Sequence, residues 1–217
     1  MEKYEFENEF GKYSLRVERE KKRGNAVVDI CINTEEVLSQ LRKLSFEYEC
    51  DEVYCTSKDE SFNPNFDYSY TIDSYELAIN KETIIEYKLI PVTWKNASIY
   101  KKIYNLATFD IDNMSICDDE EIREYLEKED AKIGLIQYKN EIIGSFTTVG
   151  KHEIDSFTLD PKFQGKHLAR GALQSVINTL QGTAILFVSS RNDRALNLYK
   201  SMGFTKGKFT TKFYKIK

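Results

Sequence analysis

The chain has 217 residues, 41% of them hydrophobic and 30% charged, with a formal net charge of −4. This is the composition of an ordinary globular protein, with enough apolar residues for one large core or two small ones and too few prolines for long disordered linkers. The acidic balance excludes general binding to a nucleic-acid backbone, which needs a basic face, and charges interrupt every apolar stretch short of membrane-spanning length.

In chain order, residues 12–32 predict a hairpin. Tyr13-Ser14-Leu15-Arg16-Val17 alternates, Lys21-Lys22-Arg23-Gly24-Asn25 turns, and Ala26-Val27-Val28-Asp29-Ile30-Cys31-Ile32 returns. Thr34 is placed to cap a helix carrying Val37, Leu38, Leu41, Leu44 and Tyr48 at helical spacing. Strands are expected at 52–56 and 66–79, separated by a polar stretch at 57–65. A second unit is expected from near Ile84, opening with a strand at 87–92 and a helix at 96–107 whose apolar side is Ile99, Ile103 and Leu106. An acidic segment leads into a helix at 118–128 with Ile122, Tyr125 and Leu126 inward, its negative first turn suiting the helix dipole. A hairpin at 131–138 and 141–149 turns at Lys139-Asn140, and a strand follows at 152–159. Residues 163–180 read as one long helix, 184–189 as an unbroken apolar strand of the buried type, and 192–202 as a helix closed by Gly203. Phe204 opens a terminal strand. The fold class is α+β: a mixed, mostly antiparallel sheet flanked by helices, with a small N-terminal α+β extension.

Two segments carry chemistry. Asp160-Pro161-Lys162-Phe163-Gln164-Gly165-Lys166-His167-Leu168-Ala169-Arg170 joins a strand to a helix through a glycine-containing turn. Such a turn leaves backbone N–H groups unpaired where the helix dipole favours an anion, and Lys166 and Arg170 add positive charge. The second, Asn192-Asp193-Arg194-Ala195-Leu196-Asn197-Leu198-Tyr199-Lys200-Ser201-Met202-Gly203-Phe204, lies where the next strand hands over to the next helix. Together they resemble the two coenzyme-binding motifs of the GNAT superfamily of N-acetyltransferases, Q/R-x-x-G-x-G/A followed by N-x-x-A-x-x-L-Y-x-x-x-G-F. The first maps onto Gln164 through Ala169, the second onto Asn192, Ala195, Leu198, Tyr199, Gly203 and Phe204. The resemblance covers roughly residues 84–217.

That resemblance implies transfer of an acetyl group from acetyl-CoA to a primary amine by direct attack in a ternary complex, with no metal and no covalent enzyme intermediate. It implies that the backbone of Phe157, Thr158 and Leu159 pairs with the pantetheine arm, and that the amides of Gln164, Gly165, Lys166, His167, Leu168 and Ala169, with Arg170, cradle the pyrophosphate. Asn192 resembles the side chain that helps hold the pantetheine, and Tyr199 the residue at the thioester sulfur. A tyrosine stays protonated at neutral pH and can donate to a thiolate whose conjugate acid has a pKa of about 8.5. The general base is read as Glu153, which shares a strand face with Asp155 and Phe157 by the two-residue period and matches a glutamate of the histone-acetylating members. Asp155 is a neighbour that would relay through water. Protein N-terminal acetylases often use a glutamate on the next strand, where this chain has Phe187. One position departs from the pattern, because His167 stands where the first motif has glycine, whose backbone comes closest to a ligand.

Residues 83–217 are therefore expected to be the acetyltransferase domain, and residues 1–82 a domain of unknown role, read alternatively as a degenerate half-copy of the same fold. The acceptor is a small-molecule or peptide amine; the acidic run Asp110, Asp112, Asp118, Asp119, Glu120 and Glu121 would favour a cationic one. A homodimer is compatible with the family, and neither nucleic acid nor membrane is expected as a partner. Cys31, Cys50, Cys55 and Cys117 form no paired motif, His152 and His167 are remote from them, and the N-terminus lacks the apolar core of a signal peptide, so a cytoplasmic protein with reduced thiols is expected. The rival reading is a catalytically weak GNAT-fold module that senses acyl-coenzyme A or docks a partner.

Overall fold

A computed structural model describes residues 2–82, 86–111 and 114–217; Ile84, taken above as the start of the second unit, and Asp112 of the acidic run lie outside them. The chain divides into two compact units, Met1–Ile72 with Ser189–Arg191 and Thr210–Lys217, and Asp73–Val188 with Asn192–Phe209.

The first unit contains β1 (Glu2–Asn8), β2 (Gly11–Glu18), β3 (Arg23–Cys31), α1 (Thr34–Glu47) and β4 (Glu52–Ser57). Its sheet continues through the end of β11 (Thr205–Lys215) to the start of β5 (Tyr70–Ala78). Strands β3 and β4 run parallel, joined by α1, whose Val37, Leu38 and Leu41 pack on Leu15, Val17, Ala26, Val28 and Val53. The helix is capped one residue earlier than the sequence suggested, by the Asn33 side chain accepting from the Glu36 amide at 3.3 Å. Strand β1 had no counterpart in the sequence reading. It is a half-exposed edge strand in which Lys3, Glu5 and Glu7 alternate with Tyr4 and Phe6, so charge masks its period.

The second unit contains the rest of β5 and β11, with β6 (Tyr87–Pro91), α2 (Ala97–Thr108), α3 (Asp119–Glu127), β7 (Ala131–Tyr138), β8 (Glu141–Val149), β9 (Glu153–Leu159), α4 (Ala169–Ile177), β10 (Thr183–Ser189) and α5 (Asp193–Ser201). Its strand order is β11-β5-β10-β9-β8-β7-β6. Two cores lie against it. One gathers Leu173, Val176 and Ile177 of α4 with Ile136, Ile143 and Leu186; the other gathers Tyr100, Ile103 and Tyr104 of α2 with Ile122, Ile133 and Leu135. Leu135 and Ile136 are adjacent on β7 and enter different cores, as the two-residue period of a strand requires, so helices flank both faces. This is the mixed α+β sheet expected.

Three local expectations are corrected. Helix α2 buries Ala97, Tyr100, Ile103, Tyr104 and Thr108, whereas Ile99 and Leu106 are 43% and 55% exposed. Tyr100 can take the inner face because its hydroxyl is satisfied there, sharing a hydrogen bond with Thr147 Oγ1 at 2.6 Å. The long helix at 163–180 shrinks to Ala169–Ile177, because Gly165 (φ 73°) and His167 (φ 60°) hold left-handed backbone that cannot continue a helix. Strand β10 is not buried throughout, since Phe187 is 46% exposed.

Candidate active site

The site is built on β9. One edge of β9 pairs with β8 along its length, and Gly144 makes the end of that pairing possible: a Cβ there would lie 2.3 Å from the Thr158 carbonyl oxygen. The other edge behaves differently. The parallel ladder with β10 comprises only Ile185↔Glu153 and Leu186↔Ile154. Among the described residues β9 has no β10 partner from Asp155 onward, so the backbone groups of that edge up to Leu159 face the gap between the two strands. The β8 register shifts at the same place, with Thr147 opposite Ser156 and Thr148 opposite Ile154. Asp155 is thus the extra residue of a bulge, a device that re-aims a side chain and recurs beside active sites.

Past Leu159 the chain turns toward α4. Asp160 caps a short 3-10 turn through the Lys162 amide, and the Gln164 side-chain Nε2 donates to the Leu159 carbonyl at 3.1 Å, fixing the turn to the end of the strand. Gly165 and His167 then carry the chain into α4, which has no side-chain N-cap. Its first amides are left to a ligand or water, the arrangement that binds anions. His167 holds the left-handed conformation a glycine would hold at that motif position, at a backbone cost of roughly 1–2 kcal/mol. Tyr87 braces α4 from β6, its hydroxyl donating to the Leu168 carbonyl at 3.2 Å and its ring lying where any side chain on Gly171 would stand.

The cations divide in a way the sequence did not show. The Lys166 ammonium lies 5.2 Å from the centre of the Phe163 ring, beside the turn. Arg170 turns away, donating to the Ser201 carbonyl at 2.9 Å at the end of α5. Arg194, which the sequence reading passed over, donates instead to the Gln164 side-chain oxygen. The missed signal is its position: a basic residue in the first turn of a helix opposes the dipole, which is tolerable where an anion is expected.

Helix α5 begins with the Asn192 side chain accepting from the Ala195 amide at 3.1 Å, so part of that side chain's capacity serves the cap. Tyr199 is 8% exposed, packs on Phe204 with ring centres 5.7 Å apart, and belongs to the core cluster that holds Leu159 and Phe163. Burial pushes its hydroxyl up to about 12, so it is fully protonated at neutral pH. Phe157, Leu168 and Ala169 pack against the same cluster.

Glu153 sits at the opposite, closed end of β9. Partial burial, with a further contribution from Asp155, raises its carboxyl above the usual range, and Lys128 opposes the shift. Asp155 accepts a hydrogen bond from the Tyr125 hydroxyl at 2.9 Å. The structure thus gathers Leu159, Gln164 and Lys166 at one end of β9 and Glu153 with Asp155 at the other, while Tyr199 lies in the core cluster that spans Ile154, Leu159 and Phe163. Among the described residues no group of three or more His, Cys, Asp or Glu is placed to hold a metal ion, and no helix is long and apolar enough to cross a membrane.

Comparison with known proteins bears on this arrangement. Residues 104–216, just over half the chain, match the family described as acetyltransferase (GNAT) domain. The chain is 30% identical over 67 residues to the N-alpha-acetyltransferase RimI of Mycobacterium tuberculosis, a match covering 30% of this chain and 42% of that protein. In fold it is similar to a GCN5-related N-acetyltransferase from Anabaena variabilis (TM-score 0.61, 11% identity, 94% of this chain and 58% of that one). A GCN5-related N-acetyltransferase from Kribbella flavida is comparably similar (TM-score 0.59, 12% identity, 97% and 88%). At such identities these two likenesses speak to the fold alone.

Proposed function

Since the chain belongs to the GNAT acetyltransferases, we propose that it transfers the acetyl group of acetyl-CoA to a primary amine. The observation that carries this reading is the two-pair ladder between β9 and β10, opening beside an uncapped, glycine-turned helix start. The gap offers strand-edge backbone groups to an extended pantetheine arm, and the turn amides with Lys166 and Arg194 offer positive potential to the pyrophosphate. In the reaction the neutral amine nitrogen attacks the thioester carbonyl, an N–C bond forms, and the C–S bond breaks. The departing thiolate takes the Tyr199 proton, and the proton lost by the attacking amine passes to Glu153 through water. The raised carboxyl of Glu153 suits a base working nearer neutrality. Residues 83–217 would do this chemistry. Residues 1–82 we read as a separate domain, and the parallel β3–α1–β4 crossover supports descent from a half-copy of the same fold.

Isothermal titration with acetyl-CoA, followed by thiol release in the presence of an amine panel, tests the proposal. Saturable binding with amine-dependent release is expected; absence of binding at millimolar coenzyme would overturn it. One observation favours the rival, an acyl-coenzyme A sensor: the His167 side chain stands where the motif has glycine. Saturable binding without turnover would select it.

A further inference from the structure

Strand β10 ends at Ser189, and α5 starts at Asp193 with Asn192 as its cap. The hand-over residues Ser189–Arg191 belong to the first unit, while Asn192 opens the stretch that belongs to the second. Within the first unit Ser190 is tied to Thr71 twice. Its amide donates to the Thr71 carbonyl at 2.8 Å, and its hydroxyl accepts from the Thr71 amide at 3.0 Å. Arg191 lies over an aromatic cluster of the same unit, Tyr54, Tyr70 and Phe213, in which the Tyr70 and Phe213 rings stack with centres 4.8 Å apart. Its guanidinium carbon is 5.0 Å from the Tyr70 ring centre and 5.8 Å from that of Tyr54. The same group donates to the Tyr54 hydroxyl at 3.4 Å, to the Ser69 carbonyl at 3.3 Å and to the Ser69 hydroxyl. An arginine on an exposed loop ordinarily keeps its rotamer freedom, which is among the largest of any side chain. Contacts on this many sides therefore mark a fixed point and not merely a solvated charge.

That fixed point is one peptide unit from Asn192, and consecutive Cα atoms stay about 3.8 Å apart. A shift of Arg191 is therefore passed to the residue that caps α5. The helix carries Arg194 in its first turn and Tyr199 further along, and the proposed function uses both. We infer that Arg191 is a positioning residue: seated on Tyr70 and Tyr54 and bonded to Ser69, it fixes where α5 begins and so presents Asn192, Arg194 and Tyr199 to acetyl-CoA. It acts through Asn192 and not on the coenzyme. Cation–π attraction to two rings and the hydrogen bonds to Ser69 hold it, and the Ser190–Thr71 pairing keeps the backbone from sliding beneath it. The inference rests on the acetyl-transfer reading and adds to it a determinant of coenzyme affinity at residues 54 and 69–71, outside both coenzyme motifs.

Steady-state kinetics and calorimetric titration with acetyl-CoA on Arg191→Ala, Arg191→Lys and the paired change Tyr54→Phe with Ser69→Ala test the inference. Arg191→Ala should raise the KM and Kd for acetyl-CoA on the order of tenfold and leave the KM for the amine unchanged. Arg191→Lys, which keeps a cation over the rings, should recover part of the loss. Tyr54→Phe with Ser69→Ala should weaken acetyl-CoA binding about threefold alone and not at all when added to Arg191→Ala, because the contacts it removes are already gone. Additive losses in that cycle would mean that Arg191 meets the coenzyme itself, and they overturn the inference. So does an unchanged affinity in Arg191→Ala, even with a lower melting temperature. If Arg191→Ala does not fold, Arg191→Lys and the paired change decide: weaker acetyl-CoA binding in both sustains the inference, and unchanged affinity in either overturns it. If the unaltered protein binds no acetyl-CoA, the acetyl-transfer reading fails on its own. Amide exchange at Ala195 without ligand then decides the anchor: faster exchange in Arg191→Ala sustains it, and equal exchange overturns it.

Discussion

Each unit carries one parallel strand–helix–strand crossover, and the two differ in how long the strands stay together. In the first unit β3 and β4 pair from Arg23↔Glu52 to Val28↔Ser57, and the connecting helix α1 is capped by Asn33. In the second, β9 and β10 pair only at Ile185↔Glu153 and Leu186↔Ile154, and α4 begins without a side-chain cap after two left-handed residues. The closed crossover keeps its two strands paired from end to end of that ladder. The open one leaves strand-edge and helix-end groups unpaired, a cost that a protein sustains where something binds. On the proposed function, one architecture would serve as framework in one unit and as receptor in the other.

The largest effect expected is at Tyr199. Tyr199→Phe keeps the packed ring and deletes the proton donor, so kcat should fall by on the order of 10²–10⁴ with little change in coenzyme affinity. The loss should shrink with a donor whose leaving thiol is more acidic. Unimpaired turnover where chemistry limits the rate would remove the tyrosine from the mechanism.

Next is the charge beside the turn. Lys166→Glu and Arg194→Glu should each weaken acetyl-CoA binding on the order of tenfold or more with little change in melting temperature. Arg170→Glu should show the reverse pattern, a lower melting temperature from losing the contact to Ser201 and a smaller effect on binding. Calorimetry and thermal melts on the three proteins would sort them, and a binding loss confined to Arg170→Glu would contradict the geometry.

Glu153 gives a signed pH test. Its folded pKa is raised, so folding favours the protonated form; the stability this confers is present at low pH and lost as pH rises through the folded value. Glu153→Gln should therefore melt at or above the unaltered protein near neutrality and match it at acidic pH. Its rate deficit should be greatest at low pH and recover as pH nears the amine's own pKa. A lower melting temperature at neutral pH, with parallel rate profiles, would point to a structural role instead.

The smallest effects are at backbone level. Asn33→Ala should cost about 1 kcal/mol, a few degrees of melting temperature, without altering coenzyme binding. His167→Gly relieves the left-handed residue but adds unfolded-chain entropy, so stability should change by less than about 1 kcal/mol while acetyl-CoA binds more tightly. Weaker binding in that variant would show that the imidazole contributes to the site.

How much of this was legible in the sequence depends on the kind of signal. The β7–β8 hairpin stands where alternation and Lys139-Asn140 put it, because both residues take left-handed turn conformations. The order of strands and helices in the second unit was legible too. Strand β1 was not, since charges alternate along an exposed edge. The buried face of α2 was misread because aliphatic residues outweighed tyrosines, of which Tyr100 finds a hydroxyl partner inside. At the candidate site the motif residues were visible as a spacing, whereas the Asp155 bulge, the brief β9–β10 ladder and the different partners of Arg170 and Arg194 arise from register and side-chain direction. A one-dimensional pattern does not carry those.

Amide hydrogen exchange with and without acetyl-CoA measures the contrast between the two crossovers directly. Added coenzyme should slow exchange at Phe157, Thr158 and Leu159 and at the turn from Gly165 to Ala169, while Glu52–Ser57 of the closed crossover keeps its protection unchanged. Equal exchange in the presence and absence of saturating coenzyme at the β9 edge and the turn would contradict the assignment of the open strand pair as the coenzyme site.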